Sequence, residues 1–594
     1  MQEITEKDIK QLKERYSNLY SIKSVNFSIW DEIARYCRIE KRFVEDRRHE
    51  TAGYQLDTGL ADPTSLLAIN SSANNLYGIL IGDGDFFNLA LSEELKESLG
   101  ADKDMVSDYL KKVAKKVLRE INKPESNFKQ AVLEHLKDQQ TFGTSGVGTF
   151  ISNDYLAGRC NSIFEFIPFG VDNITIDEGR NGKIDTIFVD YNWRINKIVK
   201  SFCYEDGKFN EEKFNRFPDK LKSSFRDKPN DRYDLQLAIV QNDFFQKGVE
   251  GKIGCKYVGV WYLKDEKDFI LDTEYYQDNP INIVRVDKIR GELYGRADGT
   301  KILSFIKMLN YCMADAVEVI DKMVHPALAV VDGSLTGDKV IDTSPNSATI
   351  VKLPANGNQL PIFNLQDIGD PSGLLNILLP YLRETISTAF KVDILLDNNN
   401  QQAKTATEMI QRYNIRSKLL YSMVYQQVNG LLLPLIDYCI KIMMQLNLLG
   451  KKQEDPNIQE EDLIIPDVIL DFIEKGKDWY KVEFKTEIAK MSKSQELEDI
   501  SQLLQLISGM AQFNPEILQS VNWYELLSRC EYLLNNGESY LISKNEYEEI
   551  IKNIQEAQGQ AQIMQGQLAN SEMNKNNAVA NKDMQEAFNK SMGY

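Results

Sequence analysis

The stretch GELYGRADGTKILSFIKMLN, residues 291–310, sets Gly291, Gly295 and Gly299 just ahead of Thr300-Lys301 and a run with helical spacing. Glycine turns that open a helix are places where proteins cradle phosphates, because backbone N–H groups and the helix dipole point at the anion. A P-loop, however, requires GxxxxGK[ST], so that the lysine meets the phosphates and the hydroxyl meets magnesium. Thr300-Lys301 stands in no such arrangement, and the dinucleotide pattern GxGxxG is missing from 291–300. TFGTSGVGTF (141–150) supplies Gly146 and Gly148 without a third glycine at the required distance. Both stretches read as structural turns. Gly295 and Gly299 let the chain bend into a helix beginning at Thr300, Arg296 is an anchoring charge, and no nucleotide or other cofactor is expected.

The remaining reactive residue types are equally spare. Asp83 and Asp85 in GDGDFF are the residues of a metal loop, but an EF-hand needs a long run of ligand-bearing positions and DGDFFNLAL turns apolar at once. A turn is the better reading, and no metal is expected. None of the three histidines, His49, His135 and His325, has a carboxylate or cysteine at ligand spacing. His135 reads as a helix-surface or core residue, and His325 as a cation at a helix end. The seven cysteines form no CxxC pair, as expected in a reducing compartment. GxSxG and HExxH are absent, so no catalytic residue is assigned and the chain is read as a non-enzyme.

One polar run stands out. Between two apolar helical segments, residues 397–409 place Asn398, Asn399, Asn400, Gln401, Gln402, Lys404, Thr405 and Thr407 together. So many hydrogen-bonding groups require water. The run is either a surface linker or the flexible lining of a solvent-filled lumen.

These segments need elements to position them. At 594 residues the chain is too long for one hydrophobic core, so two or more modules are expected. With 42% hydrophobic and 27% charged residues it has the composition of a soluble globular protein. A net charge of −18 argues against a broad basic surface that coats DNA, though not against a protein that DNA slides past. MQEITEKDIKQLKERY carries no apolar signal segment, and NGLLLPLIDYCIKIMMQLNLLG (429–450) is interrupted by Pro434, Asp437 and Lys441. The latter reads as a buried helix, no membrane partner is expected, and the protein is expected in the cytoplasm when made.

Helical periodicity runs through 5–40 (Ile9, Leu12, Tyr16, Leu19, Phe27, Trp30, Ile33, Ile39), 62–81 and 103–142. From about 145 to 290, SIFEFIPFG, KIDTIFVDYNWRI, YVGVWYLK and INIVRVDKI predict mixed or antiparallel sheet, with 207–241 a helical insertion or long excursion. Helix returns after Gly299 and stops near His325-Pro326. A compact segment with short strands (LAVVDG, ATIVKL) fills 326–370, then helix resumes in PSGLLNILLPYLRETISTAF. After the polar run a long helix extends to about 448. Helices are expected at 493–512, 522–534 and 543–568, and the Gln/Ala/Met-rich tail is either disordered or a helix stabilised by neighbouring chains.

This order resembles the portal, or head-to-tail connector, proteins of short-tailed bacteriophages, the family that includes the T7-type connector. NNLYGILIGDGDFFNL (74–89) and AVLEHLKDQQTFGTSGVGTF (131–150) are similar to two of its segments, with GDGDFF replacing a proline-containing turn. The most specific match is the joint, where Gly291, Glu292, Tyr294, Gly295, Arg296, Leu309 and Asn310 fit. KTATEMIQRYN (404–414) supplies another, through Thr405, Ala406, Thr407, Glu408 and Ile410.

The resemblance implies an α+β portal fold: a wing over 1–299, a first stem helix over 300–325, a clip over 326–370 and a second stem helix over 371–391. A channel loop over 392–404, a wing helix and return over 405–490, a helical crown over 491–554 and a barrel helix or disordered tail over 555–594 would follow. It further implies a ring of about twelve copies at one capsid vertex. Double-stranded DNA would pass through it, with large terminase and later tail adaptor proteins docking, beside major capsid, scaffold and internal core proteins. Lys391, Asn398, Asn399, Asn400, Gln401, Gln402 and Lys404 are the expected channel-loop contacts, and Gly291, Tyr294, Gly295, Arg296 and Gly299 the wing–stem joint. The competing class is another virion structural protein without a channel, which would lack the helix–clip–helix order.

Overall fold

The computed structural model describes residues 6–41, 61–98, 103–205, 208–242, 255–264, 269–325, 328–331, 351–352, 362–364, 373–392, 420–451, 463–485, 499–510, 521–534, 547, 550, 552 and 571–590. The chain divides into two units, Met1–Thr486 and Glu487–Tyr594.

The first unit opens with helices α1 (Glu6–Ser24), α2 (Phe27–Cys37) and α3 (Thr64–Leu80). In α2 the side chains of Phe27, Trp30, Ile33, Ala34 and Cys37 are buried, the one-sided stripe that the helical period dictates. Next come β1 (Phe87–Leu91), α4 (Glu93–Ser98), α5 (Lys103–Ile121) and α6 (Phe128–Phe142). Lys123-Pro124 divides the expected 103–142 helix in two, since proline disfavours helical backbone in the residue before it.

The sheet region holds β2 (Thr144–Ile151), α7 (Asn153–Leu156), β3 (Phe164–Gly170), β4 (Ile174–Glu178), β5 (Ile184–Arg194) and α8 (Ile195–Phe202). A short β6 (Tyr204–Glu205) and β7 (Lys208–Phe209) lead to α9 (Glu211–Arg216) and α10 (Asp219–Asp227). Strands β8 (Arg232–Gln241), β9 (Tyr257–Leu263), β10 (Ile270–Tyr276) and β11 (Ile281–Arg285) complete it. Every pairing is antiparallel: a five-stranded sheet in the order β10-β9-β8-β5-β4, and a three-stranded one in the order β11-β2-β3. None of these sheets closes into a barrel, and the architecture is mixed α+β.

One expectation is corrected here. Residues 207–241 contain two helices, but their last third is β8, a strand inside the five-stranded sheet. Both faces of that sheet are covered: Ile9, Leu12 and Leu19 of α1 pack with Ala238 and Val240, while Leu235, Leu237 and Ile239 join the main core. A strand buried on both sides loses the polar alternation that marks a half-buried one.

Beyond the sheets lie α11 (Asp298–Lys301), α12 (Leu303–Val324), the paired strands β12 (Leu328–Val330) and β13 (Ile362–Asn364), and α13 (Leu379–Ala389). A π-helical turn, Leu374–Leu378, precedes α13, and a second, Val428–Leu432, precedes the helix Leu433–Gln445. Each stands just before a proline, Pro380 or Pro434. Proline cannot donate to the ladder and crowds the carbonyl one turn back, so a widened turn relieves the clash. The helix Asp467–Glu474 follows, then β14 (Tyr480–Phe484), which pairs with β1 nearly 400 residues earlier in the chain. That pairing had no signature in the sequence. The apolar run at 429–450 is buried through Leu435, Ile436, Cys439, Ile440 and Met443, and among the described residues no helix is long and apolar enough to cross a membrane.

In the second unit, residues 499–510, Trp523–Leu534 and 571–590 are helical, and every residue of 571–590 is exposed.

Candidate functional site

The glycine-marked turn sits where β11 ends and the α11–α12 helical run begins. Its backbone is strapped to the three-stranded sheet: Val286 N–H donates to Gly143 O at 2.9 Å, Arg296 N–H to Val286 O at 2.9 Å, and Gly295 N–H to Thr144 Oγ1 at 2.8 Å. Gly291 takes the left-handed conformation, φ +90°, that glycine supplies at little cost. Gly295 has a different reason. A Cβ there would lie 2.5 Å from Gly143 O, and one on Gly143 would lie 2.5 Å from Gly295 O, so two backbones cross with no room for a side chain. Gly299 is buried in α11 against Ile33 and Gln140 O.

Tyr294 is the plug of this turn. It is buried, its ring meets Trp30 edge-on at 5.2 Å, and its hydroxyl accepts from Ile176 N–H at 3.4 Å. Burial pushes its phenol well above the ordinary range, so it stays protonated. Arg296 is more than half exposed and grips Glu292 with two hydrogen bonds, 2.6 and 3.0 Å, inside the turn itself. The cation that ties turn to sheet is Arg285, which donates to Leu293 O at 3.0 Å, Gly182 O at 2.6 Å and Glu178 Oε2 at 2.7 Å.

α12 and α13 run antiparallel, and polar links hold their base. Lys391, just past α13 and itself at φ +58°, reaches Asp298 Oδ2 at 2.6 Å in α11, where Lys301 also binds. Burial raises the Asp298 carboxyl, but Lys391 and Lys301 outweigh it and hold the group below its ordinary value. Asp62 makes a second latch. Its side chain is 1% exposed and receives Arg383 Nε at 2.9 Å and NH2 at 2.7 Å, while Asn310 Oδ1 accepts the backbone N–H of Ala61 and Asp62 at 3.1 and 3.0 Å. Asn310 of α12 and Arg383 of α13 thus meet at one point, the entry to α3.

Behind the joint, His135 in α6 is fully buried. Its Nε2 lies 3.1 Å from Gln427 Oε1, its Nδ1 2.9 Å from Ser145 Oγ, and Gln427 in turn donates to Gln139. Burial lowers the imidazole to about 4, so it is neutral at pH 7. The network ties α6 and β2 to the helical turn entering Val428–Leu432, whose Gly430 rests on Val284 of β11.

Other expected residues are placed as follows. Gly82 and Gly84 are left-handed, Asn122 Nδ2 donates to Gly84 O at 2.8 Å, and Asp85 pairs with Lys485 at 2.8 Å, which makes GDGDFF a turn. Among the described residues no group of three or more histidine, cysteine or acidic side chains is placed to hold a metal. His325 follows α12 and donates its N–H to Asp321 O at 2.7 Å. Asn398, Asn399, Asn400, Gln401, Gln402, Lys404 and His49 lie outside the described residues.

The family model of the bacteriophage head to tail connecting protein matches residues 9–535. The chain belongs to this family. The connector chain is 21% identical over 479 residues to the portal protein of Salmonella phage epsilon15, covering 78% of this chain and 77% of that one. It is 22% identical over 535 residues to the probable portal protein of Bordetella phage BPP-1, covering 87% and 85%. A chain from the virion of a native gene transfer agent particle aligns over 74% of this connector and 86% of its own length, at 10% identity and a TM-score of 0.31. The family is structural, and the connector is not an enzyme.

Sequence reasoning singled out the glycines and Tyr294 of this turn and passed over Asp62, Arg285, Arg383 and Gln427. Asp62 stood only as the first residue of the 62–81 helical run. Its partner lies 321 residues away, a distance no local pattern spans.

Proposed function

We propose that this connector assembles into a ring of about twelve copies at one vertex of an icosahedral capsid, with double-stranded DNA passing through its axis during packaging and ejection. In this reading the chain is of the T7-type, short-tailed-phage kind. α12 and α13 are the stem, 326–370 the clip that receives large terminase and later tail adaptor proteins, and 392–404 the channel loop. Residues 491–554 form the crown, and 555–594 a barrel helix completed by neighbouring copies. Major capsid, scaffold and internal core proteins surround the ring.

The observation that carries this reading is the antiparallel α12–α13 pair. In a chain of the connector family it is locked at its base by Asp298–Lys391 and Asp62–Arg383, with its far end capped by the β12–β13 pairing of the intervening segment. A helix pair held rigidly at one end carries a small module at the other, as a docking platform requires.

A channel must confine DNA without gripping it, since each phosphate contact adds salt-dependent affinity and drag. Lys391 spends its charge on Asp298, which weakens its pull on a passing phosphate. The amides of Asn398–Gln402 then offer weak, exchangeable contacts, with Lys404 the remaining cation of the loop. End-on negative-stain images of the purified chain test the assembly: holed rings of roughly twelve-fold symmetry are expected, whereas monomers or sheets refute it. Replacing Asn398–Gln402 by glycine tests the loop, and unchanged packaging together with unchanged DNA retention would remove its role.

A further inference from the structure

Helix α5 departs from the rest of this acidic chain. Lys111, Lys112, Lys115, Lys116 and Arg119 fall within nine residues that include no acid, in a protein of net charge −18. At the helical period these five side chains share an arc of about 140°, and Lys112 to Arg119 spans about 10 Å of axis. The opposite side of the helix buries Leu110, Val113, Ala114, Val117, Leu118 and Ile121, so the cationic face is presented by a firmly docked element. Lys112, Lys115 and Arg119 are exposed, and Lys116 is half-buried. The two acids next to the stripe are themselves engaged: Asp108 stands 3.6 Å from Lys111, and Glu120 is taken by Lys123 at 2.7 Å. Among the described residues, Lys112, Lys115, Lys116 and Arg119 have no ion-pair partner.

We propose that the exposed face of α5 is a sequence-independent binding site for the phosphate backbone of duplex nucleic acid, separate from the channel loop. Its composition selects this ligand over an acidic protein. Between Lys111 and Arg119 every apolar side chain points inward, leaving no aromatic or aliphatic anchor on the stripe. Protein interfaces need such anchors and are depleted in lysine, whereas nucleic-acid surfaces are positively charged and polar. Four lysines act as mobile point charges, suited to a backbone met in any register rather than to a fixed carboxylate geometry. The overall negative charge limits retention to this face, since the surrounding surface repels the same polymer. The site neither needs the channel nor supports it.

A relaxed, covalently closed duplex circle has no end to thread through a ring, so it reports on this face alone. Binding of the circle to the full-length protein is expected at low salt, with log affinity falling linearly against log salt. Lys112→Gln/Lys115→Gln/Arg119→Gln is expected to reduce that slope by about 2.7 and to weaken binding at least about tenfold, each lost phosphate contact removing about 0.9 from the slope. Asp108→Asn, which frees Lys111, is expected to strengthen binding instead. Thermal melts of each variant check that the fold is intact, and the charge-reversed Lys112→Glu/Lys115→Glu pair gives a second, independent loss. Equal binding by wild type and triple variant overturns the proposal. So does capture of poly-glutamate in preference to the circle, lost in the same variant, which assigns the face to an acidic protein. Rings that ignore the circle sink this site and leave the channel reading standing. Circle binding without ring formation does the reverse.

Discussion

The two ends of α12 contrast sharply. At its base Ile306, Leu309 and Asn310 are buried among α2, α3 and α13, and Asn310 shares the Asp62–Arg383 latch. Toward its far end Val317, Ile320, Met323 and Val324 are apolar and exposed, as is Tyr311 on the outer face. Both ends carry apolar side chains, but among the described residues the base buries Ile306 and Leu309, leaving Phe305 and Met308 exposed, whereas Val317, Ile320, Met323 and Val324 are all exposed. Polar links that would be weak at a surface become specific at the base because burial removes competing water. At the far end apolar groups have no such shelter, the condition of a surface that other copies cover in the proposed ring.

The base should break hardest at its tightest point. Gly295→Val pushes a branched side chain into Gly143 O and Val286 backbone atoms, and a loss of about 3 kcal/mol or more, read as a large drop in melting temperature or soluble yield, is expected. Second comes Arg383→Ala, which leaves the Asp62 carboxylate buried without its cation. It should cost about 2 kcal/mol, less than a fully buried pair because Arg383 is itself partly exposed. The same latch sets a pH response. Asp62 and Asp298 are held below the ordinary carboxylate range once burial is outweighed by hydrogen bonds and lysine or arginine charge, so their contribution is complete near neutrality. It disappears as pH falls below the ordinary carboxylate value toward their lowered ones.

His135 acts over a higher window and in the same direction. Its imidazole is lowered from 6.5 to about 4, so the unfolded chain binds the extra proton first and stability falls as pH drops from 6.5 toward 4. At pH 5 this amounts to about 2 kcal/mol relative to pH 7, and His135→Gln should flatten that part of the melting-temperature profile. The smallest effect on the fold itself is expected at the far end. Val317→Ser and Val324→Ser should alter the stability of the isolated chain by less than about 0.5 kcal/mol. Both should lower the yield of assembled rings in sedimentation velocity. An unchanged ring yield would make the exposed end irrelevant to assembly and dissolve the contrast.

Much of this was legible along the chain, for reasons specific to each element. The amphipathic period of α2 and the Gly291–Gly299 turn are local patterns, and they marked the joint between sheet and helix. β8 was hidden because both its faces are covered, which erases the alternation that identifies a strand. Gly295 was recognisable as a turn residue, but its reason was not: it is required by the backbone of Gly143, 152 positions away in the numbering, rather than by its own dihedral angles. Arg296 was read as the anchoring charge of the turn, and only the fold directs Arg285 toward Glu178 and leaves Arg296 with Glu292.

The sequence by itself determined the order of elements, the glycine joint, the absence of familiar catalytic motifs and the resemblance to connectors, because each is written in neighbouring residues. Tertiary structure decided which cation meets which carboxylate, which strand faces are covered and which strand closes on β1. Those outcomes depend on contacts between residues hundreds of positions apart, whose free energy arises only when burial removes water from both partners at once.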